Sequence, residues 1–367
     1  MRICLIIGTR PEAIKMAPIA LVAKDLGSID CHICFTGQHA EMARTALSVF
    51  GLQANSDLNV MIPGQSLSTL TANLVQKLDG FFAENQFDVV LVQGDTTSAF
   101  VAGLVGFYHR IPVGHIEAGL RTGNLQSPFP EEANRSLIGR LANWHFAPTL
   151  NSSANLRTEG VPEGSIFVTG NTVVDAVEWL GNRESFRYSK GKKFDFLDRN
   201  SPVVFVTQHR RENHGDPLQH VCQALIELAD NFSSSQFVFP VHPNPAVKEV
   251  IHESLGQLKN VFLLDPIDFD DSIYLQSISS LIITDSGGIQ EEAPSFGVPV
   301  LVTREHTERM EGVESGCAML VGTDQGKIVE NATSVLSAGG KRDADISNPY
   351  GDGAAAKKIL EILETVV

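Results

Sequence analysis

The sequence predicts an α/β protein with two doubly wound domains, each a parallel β-sheet with helices on both faces. Short apolar runs alternate with helix-length segments along all 367 residues, and strands that alternate with helices form parallel sheets. The series starts again near residue 203, after a polar stretch at residues 178–201 that lacks strand character. A chain of this length is expected to form about two domains, and we place their boundary at that stretch.

The expected elements follow one another in a regular order. The first half has strands at residues 3–7, 32–35, 88–92, 113–116, 145–147 and 166–168. The second half has strands at residues 203–207, 237–241, 261–264, 281–284, 298–302 and 318–321. Helices are expected between them, among others at residues 68–84, 96–108 and 218–231, and an amphipathic helix is expected at residues 354–367.

The composition argues against several classes of function. The formal net charge of −15 disfavours binding to nucleic acid or to an anionic membrane surface. No apolar run approaches the roughly 18 residues of a membrane span, and the first run is too short for a signal peptide. Five scattered cysteines indicate reduced thiols and a cytoplasmic protein. We interpret Cys31 and Cys34 as core thiols rather than a redox or metal pair, because they lie in a strand-like run.

Open parallel sheets bind ligands beyond the carboxyl ends of their strands, so the residues that follow each strand are the candidates for a site. The first strand is followed by Gly8, Arg10, Pro11 and Lys15. Proline suits the first turn of a helix, and two cations beside a helix N-terminus favour an anionic ligand. The alternative is that Arg10 and Lys15 are solvated basic residues.

Carboxylates follow the next strands of the first half. Asp95 comes after the third strand and Glu117 after the fourth, while Glu131 and Glu132 open the helical segment that follows. Asp95 could instead be a helix N-cap, and a structural role at the helix N-terminus is plausible for one of the two glutamates. If they face one cleft, these carboxylates can act as general acids and bases.

The second half places basic residues and glycines at the equivalent positions. His209 and Arg210 follow its first strand and predict an anion contact, unless they belong to an exposed basic loop. Ser286, Gly287 and Gly288 then lead from a strand directly into a helix. Glycines let backbone N–H groups approach a diphosphate at a helix N-terminus; the alternative is an ordinary left-handed turn before a capped helix.

Three further residues belong to this predicted anion-binding site. Glu292 lies about one turn into the helix and can reach a ribose diol, and Arg304 and Arg309 follow the next strand. No cysteine and histidine set has zinc spacing, no complete GxGxxG follows the first strand, and no Walker A motif is present. The sequence therefore disfavours a metal enzyme, a nicotinamide dehydrogenase and a P-loop NTPase.

Seven motifs together resemble the bacterial non-hydrolysing UDP-N-acetylglucosamine 2-epimerases. They stand in the family's order at residues 8–18, 94–97, 115–122, 130–135, 209–212, 284–294 and 348–351, so the resemblance covers essentially the whole chain. It implies a glycosyltransferase-B fold, in which two Rossmann-like domains face a central cleft. The implied domains are residues 1–175, joined by the C-terminal helix 354–367, and the UDP-binding residues 176–353.

The resemblance also implies an activity and its partners. The reaction is the reversible epimerisation of UDP-N-acetylglucosamine to UDP-N-acetylmannosamine, by elimination of UDP to 2-acetamidoglucal and re-addition, for surface polysaccharide synthesis. The implied enzyme is a homodimer that uses neither metal nor cofactor. A second UDP-N-acetylglucosamine molecule is expected to bind beside the site as an activator.

The site residues carried over by the resemblance fall into three groups. The implied catalytic residues are Asp95, Glu117, Glu131, Lys15 and His209. The implied substrate-binding residues are Arg10, Arg135, Arg210, Ser286, Gly287, Gly288, Glu292 and Arg309. The implied activator residues are Gln38, His39 and His242. Which carboxylate serves which face of the sugar stays open.

Three alternatives remain from the sequence. A glycosyltransferase that uses a UDP-sugar would share the fold and the Ser-Gly-Gly site, but it would need an acceptor pocket in place of the carboxylates. A hydrolysing relative would release free N-acetylmannosamine, and such proteins usually carry a kinase domain. A non-catalytic nucleotide-sugar sensor would leave the carboxylates without a function.

Overall fold

The computed structural model describes residues 1–38, 40–210, 213–340 and 347–367. They form two compact units. The first unit is Met1–Ala176 together with Tyr350–Val367, and the second unit is Val177–Pro349. Each unit contains one parallel sheet with flanking helices, so the predicted fold class of two doubly wound α/β domains is confirmed.

The first unit is built on a seven-stranded sheet in the order β3-β2-β1-β4-β5-β6-β7. The strands are β1 Arg2–Ile7, β2 Asp30–Phe35, β3 Ser56–Asp57, β4 Val89–Gln93, β5 Val113–Ile116, β6 Trp144–Ala147 and β7 Ile166–Val168. The central strands are mostly apolar and are buried along nearly all of their length, as expected for a parallel sheet covered on both faces.

Among the described residues of the first part of the chain, seven α-helices alternate with these strands. They are α1 Arg10–Leu26, α2 Ala40–Val49, α3 Leu67–Glu84, α4 Thr97–Tyr108, α5 Glu131–Leu141, α6 Leu150–Thr158 and α7 Thr172–Gly181. The start of α1 is set by a capping box between Thr9 and Glu12 with proline in the first turn, and Gly27 ends the helix in a left-handed conformation at φ 68°. These are the local signals that position a helix after a strand.

The second unit is built on a six-stranded sheet in the order β10-β9-β8-β11-β12-β13. The strands are β8 Val203–Thr207, β9 Gln236–Pro240, β10 Val261–Leu264, β11 Leu281–Thr284, β12 Val300–Val302 and β13 Ala318–Leu320. The helices are α8 Glu184–Lys193, α9 Asp216–Asn231, α10 Pro245–Leu255, α11 Phe269–Ile278, α12 Gly287–Glu292, α13 Met310–Glu314 and α14 Gln325–Ser337.

Both sheets have a topological switch point beside their first strand. In the first unit β1 pairs with β2 on one side and β4 on the other, and in the second unit β8 pairs with β9 and β11. Helices that leave the two neighbouring strands in opposite directions open a crevice there, and ligands bind in it. Ligand-binding residues are therefore expected at the carboxyl ends of β1 and β4 and of β8 and β11.

The last helix, α15 Ala355–Val366, belongs to the first unit. The Asp175 carboxylate of α7 accepts hydrogen bonds from the backbone N–H groups of Ala355 (3.2 Å) and Ala356 (2.8 Å), which caps α15. The Ser28 hydroxyl donates to Glu364 at 2.7 Å near the other end of α15. The amphipathic pattern at the C-terminus thus packs its apolar side, including Ile359, Leu360 and Leu363, into the first unit.

The structure departs from the expected elements at three places. The strand expected from residue 298 begins at Val300, because Pro299 has no N–H to donate to a neighbouring strand. The two-residue strand β3 was not expected, since Ser56 and Asp57 are polar and the strand is too short for a pattern. The stretch 178–201 contains the end of α7 and all of α8. Among the described residues, no helix has the length and apolar character needed to cross a membrane.

Candidate active site

Glu117 is a buried carboxylate of the first unit that several side chains hold in place. It follows β5, it is 9% exposed, and its backbone has a positive φ of 62°. Its Oε1 accepts hydrogen bonds from Lys15 Nζ (2.5 Å) and Asn171 Nδ2 (3.2 Å), and its Oε2 accepts one from Gln93 Nε2. A positive φ is uncommon for a residue with a side chain and costs on the order of 1–3 kcal/mol, so it persists where the surroundings enforce it.

Asp95, another candidate carboxylate of the first unit, lies after β4 and pairs with Arg135 of α5. The Asn134 side-chain amide donates to the Asp95 carbonyl at 2.9 Å. The N-cap of α4 is Thr96, whose hydroxyl accepts from the Ala99 N–H at 3.0 Å. Capping therefore does not explain Asp95, and its carboxylate faces the cation of α5 instead.

The two glutamates at the start of α5 have different surroundings. Glu132 is buried, and its Oε1 accepts hydrogen bonds at 3.0 Å from the backbone N–H groups of Thr122 and Gly123. It also lies 3.3 Å from Arg135 Nη1. Glu131 is the first residue of α5 and is half-buried. The structural role weighed for one of the pair thus falls to Glu132, which leaves Glu131 as the candidate for chemistry.

Glu12 of α1 is a buried carboxylate that sequence analysis did not single out for the site. It accepts hydrogen bonds from the N–H of Thr9 (2.6 Å), the N–H of Gly8 (3.0 Å) and the hydroxyl of Thr96 (2.7 Å). Burial raises its pKa to about 7, although these hydrogen bonds act in the opposite direction. Glu12 joins the loops after β1 and β4, and the Thr-x-x-Glu spacing of a capping box was the signal that could have revealed it.

The remaining first-unit residues surround the same loops. Arg10 is the first residue of α1 and is half-buried. His115 is buried, its Nε2 donates to the Gly94 carbonyl at 2.7 Å, and burial lowers its pKa to about 3, so the imidazole is neutral. Since Gly94 immediately precedes Asp95, this bond holds the loop that carries the carboxylate.

Two of the expected activator residues are described. Gln38 follows β2, and its Oε1 accepts from the Ser98 hydroxyl at 2.7 Å. His242 follows β9 in the second unit, where its Nδ1 accepts from the Asn244 N–H at 3.2 Å. Burial and the nearby His209 and His214 lower the pKa of His242. The third expected residue, His39, lies outside the described residues.

In the second unit, Asp285 organises the loop after β8. This carboxylate follows β11, is fully buried, and accepts hydrogen bonds from the N–H groups of His209 (3.0 Å) and Arg210 (2.9 Å) and from Asn213 Nδ2 (3.1 Å). His209 Nδ1 lies 2.8 Å from Asp285 Oδ1, while the His209 side chain is 45% exposed. Burial acts to raise the pKa of Asp285, but the His209 contact and the backbone N–H groups lower it overall.

The pairing with Asp285 makes His209 an oriented imidazole. A carboxylate on one ring nitrogen fixes the plane of the ring and leaves the other nitrogen to act on a ligand. Asp285 lies within the motif at residues 284–294, but the sequence alone does not indicate a role for it. Its complete burial and its four contacts now identify it as the residue that positions His209.

The Ser-Gly-Gly turn after β11 lies close to the side chains of Arg309 and Glu292. Ser286 caps α12, with its hydroxyl accepting from the Ile289 N–H at 3.4 Å. A Cβ atom added to Gly287 would lie 3.3 Å from Cζ of Arg309, and one added to Gly288 would lie 3.2 Å from Oε1 of Glu292. Any larger residue would push against the guanidinium or the carboxylate, so both positions favour glycine.

The cations of this turn are held by carboxylates. Arg309 Nε donates to Glu291 Oε1 at 2.9 Å, and its Nη1 pairs with Glu308. Arg304 Nη1 lies 3.2 Å from Glu308 Oε2. Burial alone would raise the pKa of Glu308, but Arg309 and Arg304 lower it to about 2. Glu292 accepts from Gln276 Nε2 at 2.6 Å, which fixes its carboxylate beside Gly288.

One cluster of acidic side chains has spacing suited to a metal ion within the part of the chain that the structure describes. It consists of Asp268, Asp270 and Asp271 at the start of α11. Lys190 of α8 lies 2.5 Å from Asp270 and 2.6 Å from Asp271, and Lys193 also pairs with Asp271. The ammonium groups of α8 therefore already neutralise these carboxylates.

Comparisons with known proteins point to one family. The family model described as UDP-N-acetylglucosamine 2-epimerase matches residues 22–364. The UDP-N-acetylglucosamine 2-epimerase of Yersinia pestis is 48% identical over 370 residues, which cover 99% of this chain and 98% of the relative. That of Escherichia coli (strain K12) is 46% identical over 371 residues, with coverage of 99% and 98%. The crystal structure of the Neisseria meningitidis UDP-GlcNAc 2-epimerase bound to UDP-GlcNAc has a TM-score of 0.91 and 45% identity, and the match covers 100% of both chains.

Proposed function

Because the chain belongs to the UDP-N-acetylglucosamine 2-epimerase family, we propose that it interconverts UDP-N-acetylglucosamine and UDP-N-acetylmannosamine by elimination and re-addition of UDP. The observation that carries the proposal is the carboxylate of Glu117, which lies on a strained backbone and is held by three donors. Inversion at C2 requires that a proton leave one face of the sugar and return to the other. A positioned carboxylate is suited to that step.

The reaction is balanced without an oxidant or reductant. A base removes the C2 proton, the electron pair of the C2–H bond forms the C1–C2 double bond, and the C1–O bond breaks as UDP leaves with its electron pair. The product of this half is 2-acetamidoglucal. Protonation of C2 from the opposite face and addition of the UDP oxygen to C1 complete the epimer.

The first unit supplies the acid and base groups in this proposal. Two faces call for two groups, and Asp95, Glu117 and Glu131 are the candidates. Lys15 holds Glu117, and Arg135 holds Asp95. Each positioned acid or base raises the rate of such a reaction roughly 10²–10⁴-fold. We therefore expect substitutions of these carboxylates to lower the rate more than any other single substitution.

The second unit binds the leaving diphosphate in this proposal. The backbone N–H groups at Ser286, Gly287 and Gly288, together with Arg309, would stabilise the charge that develops on UDP as the C1–O bond breaks. The imidazole of His209, oriented by Asp285, would contact the same anion. Glu292 would accept from the ribose hydroxyls, and Arg210 and Arg10 would add positive charge.

We also propose the regulatory and cellular features that the family resemblance implies. Gln38, His39 and His242 would bind a second UDP-N-acetylglucosamine molecule as an activator. The enzyme would act as a homodimer in the cytoplasm and supply UDP-N-acetylmannosamine for surface polysaccharide synthesis. Neither a metal nor a cofactor takes part in the proposed steps.

Product analysis with matched variants tests the proposed activity. UDP-N-acetylglucosamine is incubated with the protein without an acceptor, and the nucleotide sugars and free sugars are separated by chromatography. We expect UDP-N-acetylmannosamine, and we expect Glu117→Gln to lower the rate at least about 100-fold with an unchanged fold. Glu163→Gln removes an exposed carboxylate that pairs with Arg157 and should keep the rate. Free N-acetylmannosamine, or no product, would instead support the hydrolase, the glycosyltransferase or the sensor.

A further inference from the structure

The second unit contains a cavity of about 780 Å³ between α8 and α11, away from the carboxyl ends of its strands. Its wall includes Val203, the first residue of β8, whereas His209 follows the last residue of that strand, Thr207. At about 3.3 Å per residue, the two ends of β8 are separated by about 13 Å. The cavity therefore lies at the amino edge of the sheet and shares no residue with the proposed sugar-nucleotide site.

The inner wall of the cavity is aromatic. Phe194 and Tyr274 are stacked with their ring centroids 5.6 Å apart and their planes at 11°, and Phe296 completes the wall. Pockets that bind small molecules have volumes of about 300–1,000 Å³ and are lined mainly by apolar and aromatic groups with a few polar ones. The size and lining of this cavity fall within that description.

The rim of the cavity is cationic in a protein whose formal net charge is −15. Arg187, Lys192 and Arg199 line it. Within residues 1–38, 40–210, 213–340 and 347–367, neither guanidinium group has an ion pair or a side-chain hydrogen bond. The Lys192 ammonium lies over the ring of Tyr188, 4.6 Å from its centroid. The carboxylate at the rim, Asp198, already accepts hydrogen bonds from Asn200 and Ser201.

A glycine inside α8 opens the cavity wall. Gly191 is buried, and a Cβ atom added there would lie 3.2 Å from Nη2 of Arg199 and 3.3 Å from Oη of Tyr274. A glycine inside a helix costs roughly 0.5–1 kcal/mol relative to alanine. At this position it lets a guanidinium group and a phenol hydroxyl converge on one point of the wall.

From the aromatic wall, the unpaired cations and the converging polar groups, we propose that this cavity binds a small ligand that combines a flat ring with an anionic group. The ring would pack on Phe194 and Tyr274, and the anion would be held by Arg187 and Arg199. The site is independent of the proposed epimerase activity and would remain occupied while UDP fills the sugar-nucleotide site.

A fluorescence titration with 8-anilino-1-naphthalenesulfonate, a ring system that carries a sulfonate, tests the site. The full-length protein is first saturated with UDP and then titrated with the probe. We expect saturable binding of one probe per chain. The double variant Arg187→Ala/Arg199→Ala should raise the Kd of the probe at least about tenfold, because the loss of one hydrogen bond to a charged group is enough to change an affinity by that factor. Turnover of the sugar nucleotide should be unchanged.

Two further variants make the result specific. Lys259→Ala/Lys327→Ala removes the same charge from exposed positions of the same unit that do not line the cavity, and it should leave probe binding unchanged. Gly191→Ala should lower the affinity for the probe, because the added Cβ atom would push against Arg199 and Tyr274. The thermal midpoint should not fall, because alanine has a higher helix propensity than glycine. Equal weakening by the two double variants, displacement of the probe by UDP, or no saturable binding would overturn the proposal.

Discussion

At the scale of single residues, the site depends on carboxylates that other side chains hold in place. Side-chain donors from Lys15, Gln93 and Asn171 hold Glu117, and Asp285 in turn orients His209. Reacting groups must be held within a fraction of an ångström of their productive geometry, so residues behind them affect the rate without touching the substrate. We expect Gln93 and Asn171 to be positioning residues in this sense.

Gln93→Leu tests that role at a buried position. The variant removes the donor to Glu117 Oε2 and keeps a side chain of similar volume. We expect kcat to fall about tenfold or more with little change in KM, because the carboxylate loses its orientation while the substrate-binding groups stay. Steady-state kinetics and a thermal melt measure both effects. A rise in KM at constant kcat would show that Gln93 acts on binding instead.

The sequence singled out the carboxylate that we propose to react, but not all of the side chains that hold it. Lys15 and Glu117 were predicted because each follows a strand end, which is a local signal. Gln93 is the last residue of β4 and Asn171 precedes α7, and nothing in their own neighbourhoods points toward Glu117. Contacts across 24 and 54 residues of sequence depend on the register of the sheet, which a single sequence does not reveal. The positive φ of Glu117 was likewise not predictable from the sequence.

At the scale of elements, the loop after β1 and the N-terminus of α4 both donate hydrogen bonds to one buried carboxylate. Glu12 lies in α1 and accepts from Gly8, Thr9 and Thr96. Its pKa is raised from 4.5 to about 7, with burial as the largest cause. The folded protein therefore binds this proton more tightly than the unfolded chain does.

This shift predicts a pH dependence of stability. Between pH 4.5 and 7 the folded state holds a proton on Glu12 that the unfolded state releases, so this contribution is present at low pH and is lost as the pH rises through 7. The free energy of unfolding of the wild type, relative to Glu12→Gln, should fall over that range. Urea unfolding of both proteins at several pH values measures the difference. A difference that stays constant, or that rises with pH, would contradict the prediction.

The C-terminal helix depends on a cap from a distant helix. Asp175 of α7 accepts from the first two N–H groups of α15, and loss of such a cap costs about 0.5–2 kcal/mol. Asp175→Ala should lower the free energy of unfolding by that amount. Asp352→Ala removes an exposed carboxylate paired with Lys358 and should change it by less than about 1 kcal/mol. Equal losses in urea unfolding would argue against a specific cap.

At the scale of the whole molecule, the repeating strand and helix pattern predicted most of the architecture. Apolar runs such as β1, β5 and β8 were located to within a residue, because they are buried on both faces. Elements without a pattern were missed, among them β3, and α8 was not expected because its sequence is mostly polar. The return of α15 to the first unit was expected from the family resemblance and has no signal in the helix itself.

The proposed reaction requires this chain to remove the C2 proton of a UDP-sugar and to return a proton to the same carbon. Proton NMR of UDP-N-acetylglucosamine with the purified protein in D₂O, without an acceptor, tests it most directly. We predict a new anomeric signal from UDP-N-acetylmannosamine and deuterium at C2 of both epimers at equilibrium. A new epimer that retains the original proton at C2, or the absence of both the signal and the exchange, would contradict the claim.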